Sequence, residues 1–223
     1  TGSVWSTLPT DTYGGMCGTS MSAPTTSGVI ALMLEEFANK PYPLPSTIKA
    51  ILIHTAKDLG NAGPDYSFGY GRINATSAID KIKEDTEIND VIIEGAISAQ
   101  EETDEFNINV PEGISSVKVT LVWDDYPAAA NADPALVNDL DLVLIGPSET
   151  THYPWVLDPN SPGNPATTGT NTIDNVEQVY VENPQAGIWT VRVKGTTIPN
   201  PPQSYSIVSD YSSSIKPTVV VKT

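Results

Sequence analysis

The feature of this sequence that most constrains its fold is a change of hydrophobic period near residue 86. Before that point apolar residues recur at helical spacing, as do Ile48, Ile51 and Leu52. Beyond it they alternate with other residues, as in the run from Val117 to Trp123. Because periods of 3.6 and 2 belong to different architectures, we predict two domains, over residues 1–85 and 86–223.

The first 85 residues are predicted to form helices joined by short connections. The run from Val29 to Leu34 is apolar on nearly every side, which indicates a buried helix. A second helix is predicted to begin at Ser46 and a third at Asn74. The acidic stretch 83–87 is the predicted linker to the second domain.

The second domain is predicted to be all β. Short runs with alternating hydrophobicity occur at residues 91–98, 104–110, 117–123, 140–145, 176–182, 188–194 and 203–209. Pro, Gly, Asn and Asp separate these runs, and no helical pattern lies between them. This arrangement is typical of an antiparallel sandwich or jelly roll.

Charge and composition exclude several classes of protein. Twenty-seven acidic residues against eleven basic ones give a net charge of −16, so neither nucleic acid nor an anionic membrane is an expected partner. No run approaches the roughly 18 apolar residues of a membrane span. The single Cys17 excludes an internal disulfide, and its small neighbours favour a packed thiol. The chain opens at Thr1 without the features of a signal peptide, so we interpret it as a cleaved product or part of a longer sequence.

One motif carries chemistry. The run Gly18-Thr19-Ser20-Met21-Ser22-Ala23-Pro24 directly precedes the apolar helix and places a hydroxyl at a helix N-terminus. Unpaired N–H groups and the positive end of the helix dipole can stabilise an oxyanion there. Local chemistry leaves two interpretations of Ser20 open, a nucleophile or a plain N-cap.

The motif and its surroundings resemble the nucleophile segment of the subtilase family. The resemblance extends upstream through Ser6–Pro9 and Tyr13–Gly14, and downstream through Ile51–Ala56 and Gly69–Ala75, so that it covers roughly residues 1–83. Many family members have His-Val where this chain has Thr25–Thr26, at a position that supports packing.

The resemblance implies the α/β C-terminal portion of a subtilisin-like catalytic domain in a secreted, extracellular serine endopeptidase acting on protein or peptide substrates. By the same resemblance Ser20 is the nucleophile, its backbone N–H is one oxyanion donor, and Thr19 adds a secondary polar contact.

The remaining catalytic residues of that family are missing from this sequence. In the family's chain order the aspartate, the histidine and the oxyanion asparagine precede the serine, and only nineteen residues precede Ser20. His54 falls in a predicted helix and is expected to be a packed or capping residue, whereas His152 is expected at the surface. We therefore expect an N-terminal segment of the same protease to supply these groups, and this chain alone to be inactive.

The acidic residues of the second domain form a candidate metal site. Asp139 and Asp141 lie on one side of an extended run, and Asp125 ends a neighbouring strand. Such oxygen ligands suit calcium, but acids in these positions are also typical turn caps. A second acidic cluster lies at 174–177. The domain resembles the C-terminal jelly-roll domain of certain calcium-binding alkaline subtilases over roughly residues 90–210, which implies structural calcium at the first three residues.

A second function stays open at this point. The chain is alternatively a non-catalytic, calcium-binding β-sandwich module that recognises protein or carbohydrate, with residues 1–85 as a remnant. The two hypotheses differ in whether Ser20 reacts with a serine-directed probe.

Overall fold

The computed structural model of the protein describes residues 3–86 and 89–213, so Glu87 in the predicted linker lies outside the described residues. The chain forms two compact units. One extends to Tyr42 and the other begins at Pro43.

The first unit consists of a hairpin followed by a long helix. Strand β1 (Val4–Leu8) pairs antiparallel with β2 (Thr12–Met16), helix α1 spans Thr19–Glu36, and a 3₁₀ turn follows at Phe37–Asn39. The hairpin turn is tight because Thr10 and Asp11 both adopt positive φ angles, of 66° and 56°. The hairpin expected before the serine motif is therefore present.

Helix α1 forms as predicted, but the prediction that it is buried is wrong for this chain. Met33 is the one residue of α1 that is buried, while Leu32 is 52% exposed. Trp5 in the hairpin is 71% exposed, and Cys17 is exposed rather than packed. A helix that is apolar on every side needs neighbours on every side, and this unit supplies only a hairpin and one helical turn.

The second unit contains helices and antiparallel strands. Its helices are α2 (Pro45–His54) and α3 (Ala75–Glu84). Its strands are β3 (Asp90–Ile97), β4 (Thr103–Val110), β5 (Ser116–Trp123), β6 (Asp139–Ile145), β7 (Thr151–His152), β8 (Trp155–Val156), β9 (Thr167–Thr168), β10 (Val176–Glu182), β11 (Gly187–Thr197) and β12 (Gln203–Ser213). All seven predicted strands form, while the two-residue strands β7, β8 and β9 were not predicted.

All the strand pairs in this unit are antiparallel. One group has the order β3-β12-β5-β10 and another the order β4-β11-β6-β7, and a single residue pair, Ser213 with Ile108, connects the two groups. Strands β8 and β9 form a separate short ribbon. The inward residues of both groups form one apolar core that includes Trp123, Leu142 and Tyr205, each fully buried. The alternating pattern of the sequence therefore marks the core-facing residues correctly.

The predicted domain boundary after residue 85 does not coincide with the compact units. Helix α2 packs against β5 and β12, with its Ile48 and Ile51 buried. Its first turn is tied to the strands because the Ser46 N–H donates to Asp124 at 2.9 Å and the Ser46 hydroxyl lies 2.8 Å from that of Ser206. The compact unit thus begins before α2, at Pro43.

The connection between α2 and α3 depends on one glycine. Gly71 has a φ of +110°, and a Cβ there would lie 2.3 Å from the backbone oxygen of Lys57. Lys57 and Arg72 exchange two backbone hydrogen bonds of 2.8 and 2.9 Å, so this contact cannot relax without breaking the bridge.

We expect Gly71→Ala to lower the free energy of unfolding by about 3 kcal/mol or more, from strain and steric overlap together. The matched control is Gly69→Ala in the same loop, where φ is +59° and nothing lies within 4 Å of the added methyl group. That substitution is expected to lower the free energy of unfolding by only about 1 kcal/mol, the cost of a left-handed backbone conformation for a residue with a Cβ. Urea unfolding of both variants is the measurement, and equal destabilisation would contradict the steric argument.

Candidate functional site

Ser20 lies in the first turn of α1 and is exposed. The N-cap position is occupied by Gly18, which has a φ of +137°, and no side chain caps the helix. The interpretation of Ser20 as a plain N-cap is therefore wrong. Within the described residues the Ser20 hydroxyl makes no hydrogen bond, so it is accessible to a reactant and to a base.

The backbone around Ser20 offers hydrogen-bond donors. The N–H groups of Met21 and Ser22 both donate to the Gly18 carbonyl, at 3.0 and 3.2 Å. The preceding N–H groups, of Thr19 and Ser20, have no acceptor inside the helix, because the first N–H groups of a helix precede its hydrogen-bond ladder. With the positive end of the dipole, these groups form a surface that suits an anionic oxygen.

Both histidines make structural contacts within the second unit. His54 is buried at the end of α2, where its Nε2 lies 3.1 Å from Asp210 Oδ1 and its Nδ1 lies 3.1 Å from the Thr120 hydroxyl. Its interpretation as a packed histidine is confirmed. His152 is half-buried against Trp189, with ring centroids 5.4 Å apart, so its expected surface position is only partly correct.

The His54 contacts define its protonation state. Burial lowers the pKa of His54 from 6.5 to about 4, because the cost of burying a charged ring outweighs the opposing effect of its hydrogen bond to Asp210. Asp210 also accepts the backbone N–H of Lys118 at 2.7 Å, and its pKa is lowered by its contacts with His54 and nearby lysines against the effect of burial. The neutral tautomer therefore has Nε2–H donating to the ionised Asp210, with Nδ1 accepting from Thr120.

The three predicted calcium ligands have different surroundings. Asp125 accepts the backbone N–H groups of Tyr126, Val137 and Asn138, at 2.7–2.9 Å, so its carboxylate acts as a turn cap. Asp141 accepts the Thr196 hydroxyl. Asp139 is 8% exposed, and its Oδ1 has no hydrogen-bond partner in the part of the chain that the structure describes.

The three carboxylates do not assemble into a cluster. In the part of the chain that the structure describes, no three His, Cys, Asp or Glu side chains are grouped so that they could hold a metal ion. Calcium binding therefore stays a prediction.

A second buried carboxylate lies near Asp139. Glu177, on β10, is fully buried and uses Oε2 to accept the backbone N–H of Leu142 on β6 at 2.5 Å. Among the described residues, its Oε1 has no hydrogen-bond partner. Burial, followed by the charges of Asp141, Asp139 and Asp174, raises the pKa of Glu177 well above its usual value. The acidic run at 174–177 indicated this residue in the sequence, but its approach to β6 depends on strands 35 residues apart.

Burial and the neighbouring Asp141 and Asp125 likewise raise the pKa of Asp139 to about 6. Two buried carboxyl groups with unpaired oxygens are costly unless a proton or a cation compensates them. The buried carboxyl groups with unpaired oxygens among the described residues are therefore Asp139 and Glu177. Asp125 contributes to the raised pKa of Asp139 but is itself hydrogen-bonded by three backbone N–H groups.

The first part of the chain is similar to a known protein family. Residues 2–71 match the model of the subtilase family. This match contains the serine motif, the hairpin before it and helices α1 and α2. Among the described residues, no helix has the length and apolarity needed to cross a membrane.

Several curated serine proteases match parts of the chain. An extracellular serine protease of Serratia marcescens is 37% identical over 99 residues, which cover 44% of this chain and 9% of that protein. The serine protease/ABC transporter B family protein tagA of Dictyostelium discoideum is 31% identical over 179 residues, or 74% of this chain and 10% of that protein. Subtilisin DY of Bacillus licheniformis is 37% identical over 76 residues, 34% of this chain and 26% of that protein.

The chain spans about a tenth of the length of the first two of these relatives. Among solved structures, the CspB protease of Clostridium perfringens has a TM-score of 0.32 and 10% identity over 53% of this chain and 25% of that chain, a likeness too low to support an argument. The resemblance inferred from the serine motif is confirmed by the family match and by the protease relatives. Residues 2–71 are therefore similar to the subtilase family of serine proteases.

Proposed function

We propose that this chain is the nucleophile-bearing part of a secreted serine endopeptidase, completed by an N-terminal segment of the same protease. The observation that carries the proposal is the accessible Ser20 hydroxyl in the first turn of α1, inside the residues that match the subtilase family. In this proposal Ser20 attacks the scissile carbonyl of a protein or peptide substrate and forms an acyl-enzyme. The N–H of Ser20 then stabilises the oxyanion, with Thr19 as a neighbouring polar contact.

The N-terminal segment would supply the histidine as base, the aspartate that orients it and an asparagine as the second oxyanion donor. The exposure of α1 supports such a partner, because an apolar helix with one buried residue leaves a face for another element to cover. The relatives named as extracellular proteases support a secreted protein.

A fluorophosphonate probe tests the proposal, because it reacts with a serine only when a base activates that serine. We expect no labelling of the 223-residue chain alone. With the N-terminal segment present, as a second chain or in one polypeptide, we expect labelling that peptide mapping assigns to Ser20. Labelling of the chain alone would contradict the requirement for a partner, and absence of labelling in the completed protein would contradict the protease function.

We also propose a structural cation site in the second unit as a second function. We infer from its two groups of antiparallel strands that this unit is a jelly-roll sandwich. The unpaired oxygens of Asp139 and Glu177 are the specific observation. Oxygen ligands of this kind fit calcium, which would offset their charge. Backbone carbonyls and water would have to complete the coordination, because the described residues group no three acidic side chains around one point. Asp125 does not fit, because backbone donors occupy it.

Calorimetry in calcium and in chelator tests this site. If calcium is present at about 100 times its dissociation constant, the folded state gains about 2.7 kcal/mol, so the Tm is expected to rise by several degrees. Glu177→Gln is expected to abolish the increase, whereas Glu182→Gln, exposed on the same strand, leaves it unchanged. An identical Tm in calcium and in chelator would contradict the site.

A further inference from the structure

A small cavity lies beside strands β6 and β11 of the second unit, and its lining includes Asp141. It has a volume of about 190 Å³. Its base is the outward side of β6 and β11, where Val143 is paired with Arg192 and Asp141 is paired with Lys194. The alternate residues of these strands face the core, so the side chains at the cavity are available to a ligand.

Three residues outside the two long strands also line the cavity, namely Tyr153, Pro154 and Thr170. The backbone beside them is held by the β8–β9 ribbon, in which Trp155 pairs with Thr168, and by a hydrogen bond of 3.0 Å from the Gly169 N–H to the Pro154 carbonyl. This part of the lining therefore has a backbone fixed by hydrogen bonds.

The charges at the cavity are largely compensated. Arg192 Nε donates to Glu105 at 2.6 Å, and Lys194 Nζ lies 2.8 Å from Glu101. The remaining carboxylate, Asp141, accepts a hydroxyl from Thr196. These five groups sum to a charge of about −1 in a chain of net charge −16, which disfavours an anionic ligand. The polar groups remain able to hydrogen-bond, because a carboxylate has several acceptor sites and a guanidinium has donors beyond Nε.

The cavity also offers an apolar surface. Tyr153 is 46% exposed, and Val143 and Pro154 add aliphatic contacts next to its ring. A suitable ligand therefore combines an apolar face with neighbouring neutral hydroxyl groups. The volume is below that of sites for drug-sized molecules, so it admits a single ring. A pyranose has this combination, with C–H groups on one face and hydroxyl groups at its edge.

We propose that this cavity is a binding site for one neutral sugar residue, with Tyr153 contacting the apolar face of the ring and Asp141 and Arg192 hydrogen-bonding its hydroxyl groups. Such a site gives the β-rich unit a ligand that does not depend on the protease function. The proposal does not depend on a catalytic role of Ser20.

The test is a titration of the whole 223-residue chain with the methyl glycosides of glucose, mannose, galactose and N-acetylglucosamine, followed by ¹H–¹⁵N NMR. We expect saturable shifts, with weak affinity in the millimolar range, of the amides around Val143 and Tyr153 for at least one glycoside. Tyr153→Ala is expected to weaken this binding about tenfold, and Tyr153→Phe to retain it. The control Tyr180→Ala changes an exposed tyrosine on β10 and should leave the affinity unchanged.

Two results would overturn the proposal. The first is the absence of saturable shifts at this cavity with all four glycosides. The second is tighter binding of N-acetylglycine than of any glycoside, which would assign the cavity to a peptide carboxylate. The Tm of each variant shows whether it remains folded, and equal weakening by Tyr153→Ala and Tyr180→Ala would also contradict the assignment.

Discussion

In the protease proposed above, replacing Ser20 with alanine is expected to reduce peptide hydrolysis on the order of 10⁶-fold, the magnitude known for loss of the nucleophile in subtilisin. Ser20→Ala removes the oxygen that forms the acyl-enzyme but keeps the backbone N–H groups at the start of α1. Some acceleration over the uncatalysed reaction should therefore survive. Substrate affinity and Tm are expected to change little, because the exposed hydroxyl makes no hydrogen bond within the described residues.

Ser27→Ala is the matched control for this substitution. Ser27 lies in the same helix, and its hydroxyl donates to the Ala23 carbonyl at 3.0 Å. We expect full activity, since this residue lies two turns from the start of the helix. The measurements are turnover of a peptide substrate and labelling by a fluorophosphonate probe. Retention of more than a small fraction of turnover in Ser20→Ala would show that another nucleophile carries the reaction.

Acidification is expected to destabilise the second unit through His54. The folded-state pKa of about 4 lies below the ordinary value of 6.5, so the unfolded chain binds more protons between these values. Stability from this group is fully present above pH 6.5 and is lost as the pH falls through 4. The shift corresponds to a loss of about 3 kcal/mol in the free energy of unfolding. Physically, protonation would place a charge on a fully enclosed ring and break the acceptor contact with Thr120.

Other groups titrate in the same range, and the design of the experiment has to separate them. The raised pKa of Asp139, about 6, acts in the opposite direction, because stability rises as its folded-state carboxyl takes up a proton. We therefore compare the pH dependence of urea unfolding in the natural protein and in His54→Gln, which cannot titrate. The difference between the two profiles should grow between pH 6.5 and 4, and His152→Gln should retain the natural profile far more closely. Parallel profiles for His54→Gln and the natural protein would contradict the assignment.

Local signals were sufficient for much of the fold. Each of the long strands is predicted by alternation within its own residues, since period 2 exposes one side of a strand and buries the other. The start of α3 is predicted by Asn74, whose side chain accepts the Ser77 N–H at 3.2 Å. The serine motif is equally local, because seven consecutive residues specify both the helix start and the hydroxyl within its first turn.

The grouping of the candidate metal residues could not be predicted from local signals. Asp139 was predicted as a calcium ligand together with Asp125 and Asp141, and this stays a prediction. Glu177, whose buried Oε1 has no hydrogen-bond partner among the described residues, was not one of the three. The sequence spacing that grouped Asp125 with Asp139 is equally compatible with a turn cap. The hydrogen bonds from the Val137 and Asn138 N–H groups make Asp125 such a cap. Only strand pairing determines which of these acids loses its hydrogen-bond partners.

By itself the sequence determined the helices, the long strands, the alternating core of the second unit and the subtilase-like segment with Ser20 at its helix start. The tertiary structure decided that α2 belongs with the strands, that Asp124 ties its first turn to β5, and that His54 is enclosed by Thr120 and Asp210. The physical reason is the range of the interactions. Period, caps and turns act over a few residues, whereas the partners of Ser46 and His54 lie 66 to 160 residues away and are defined only when the chain folds.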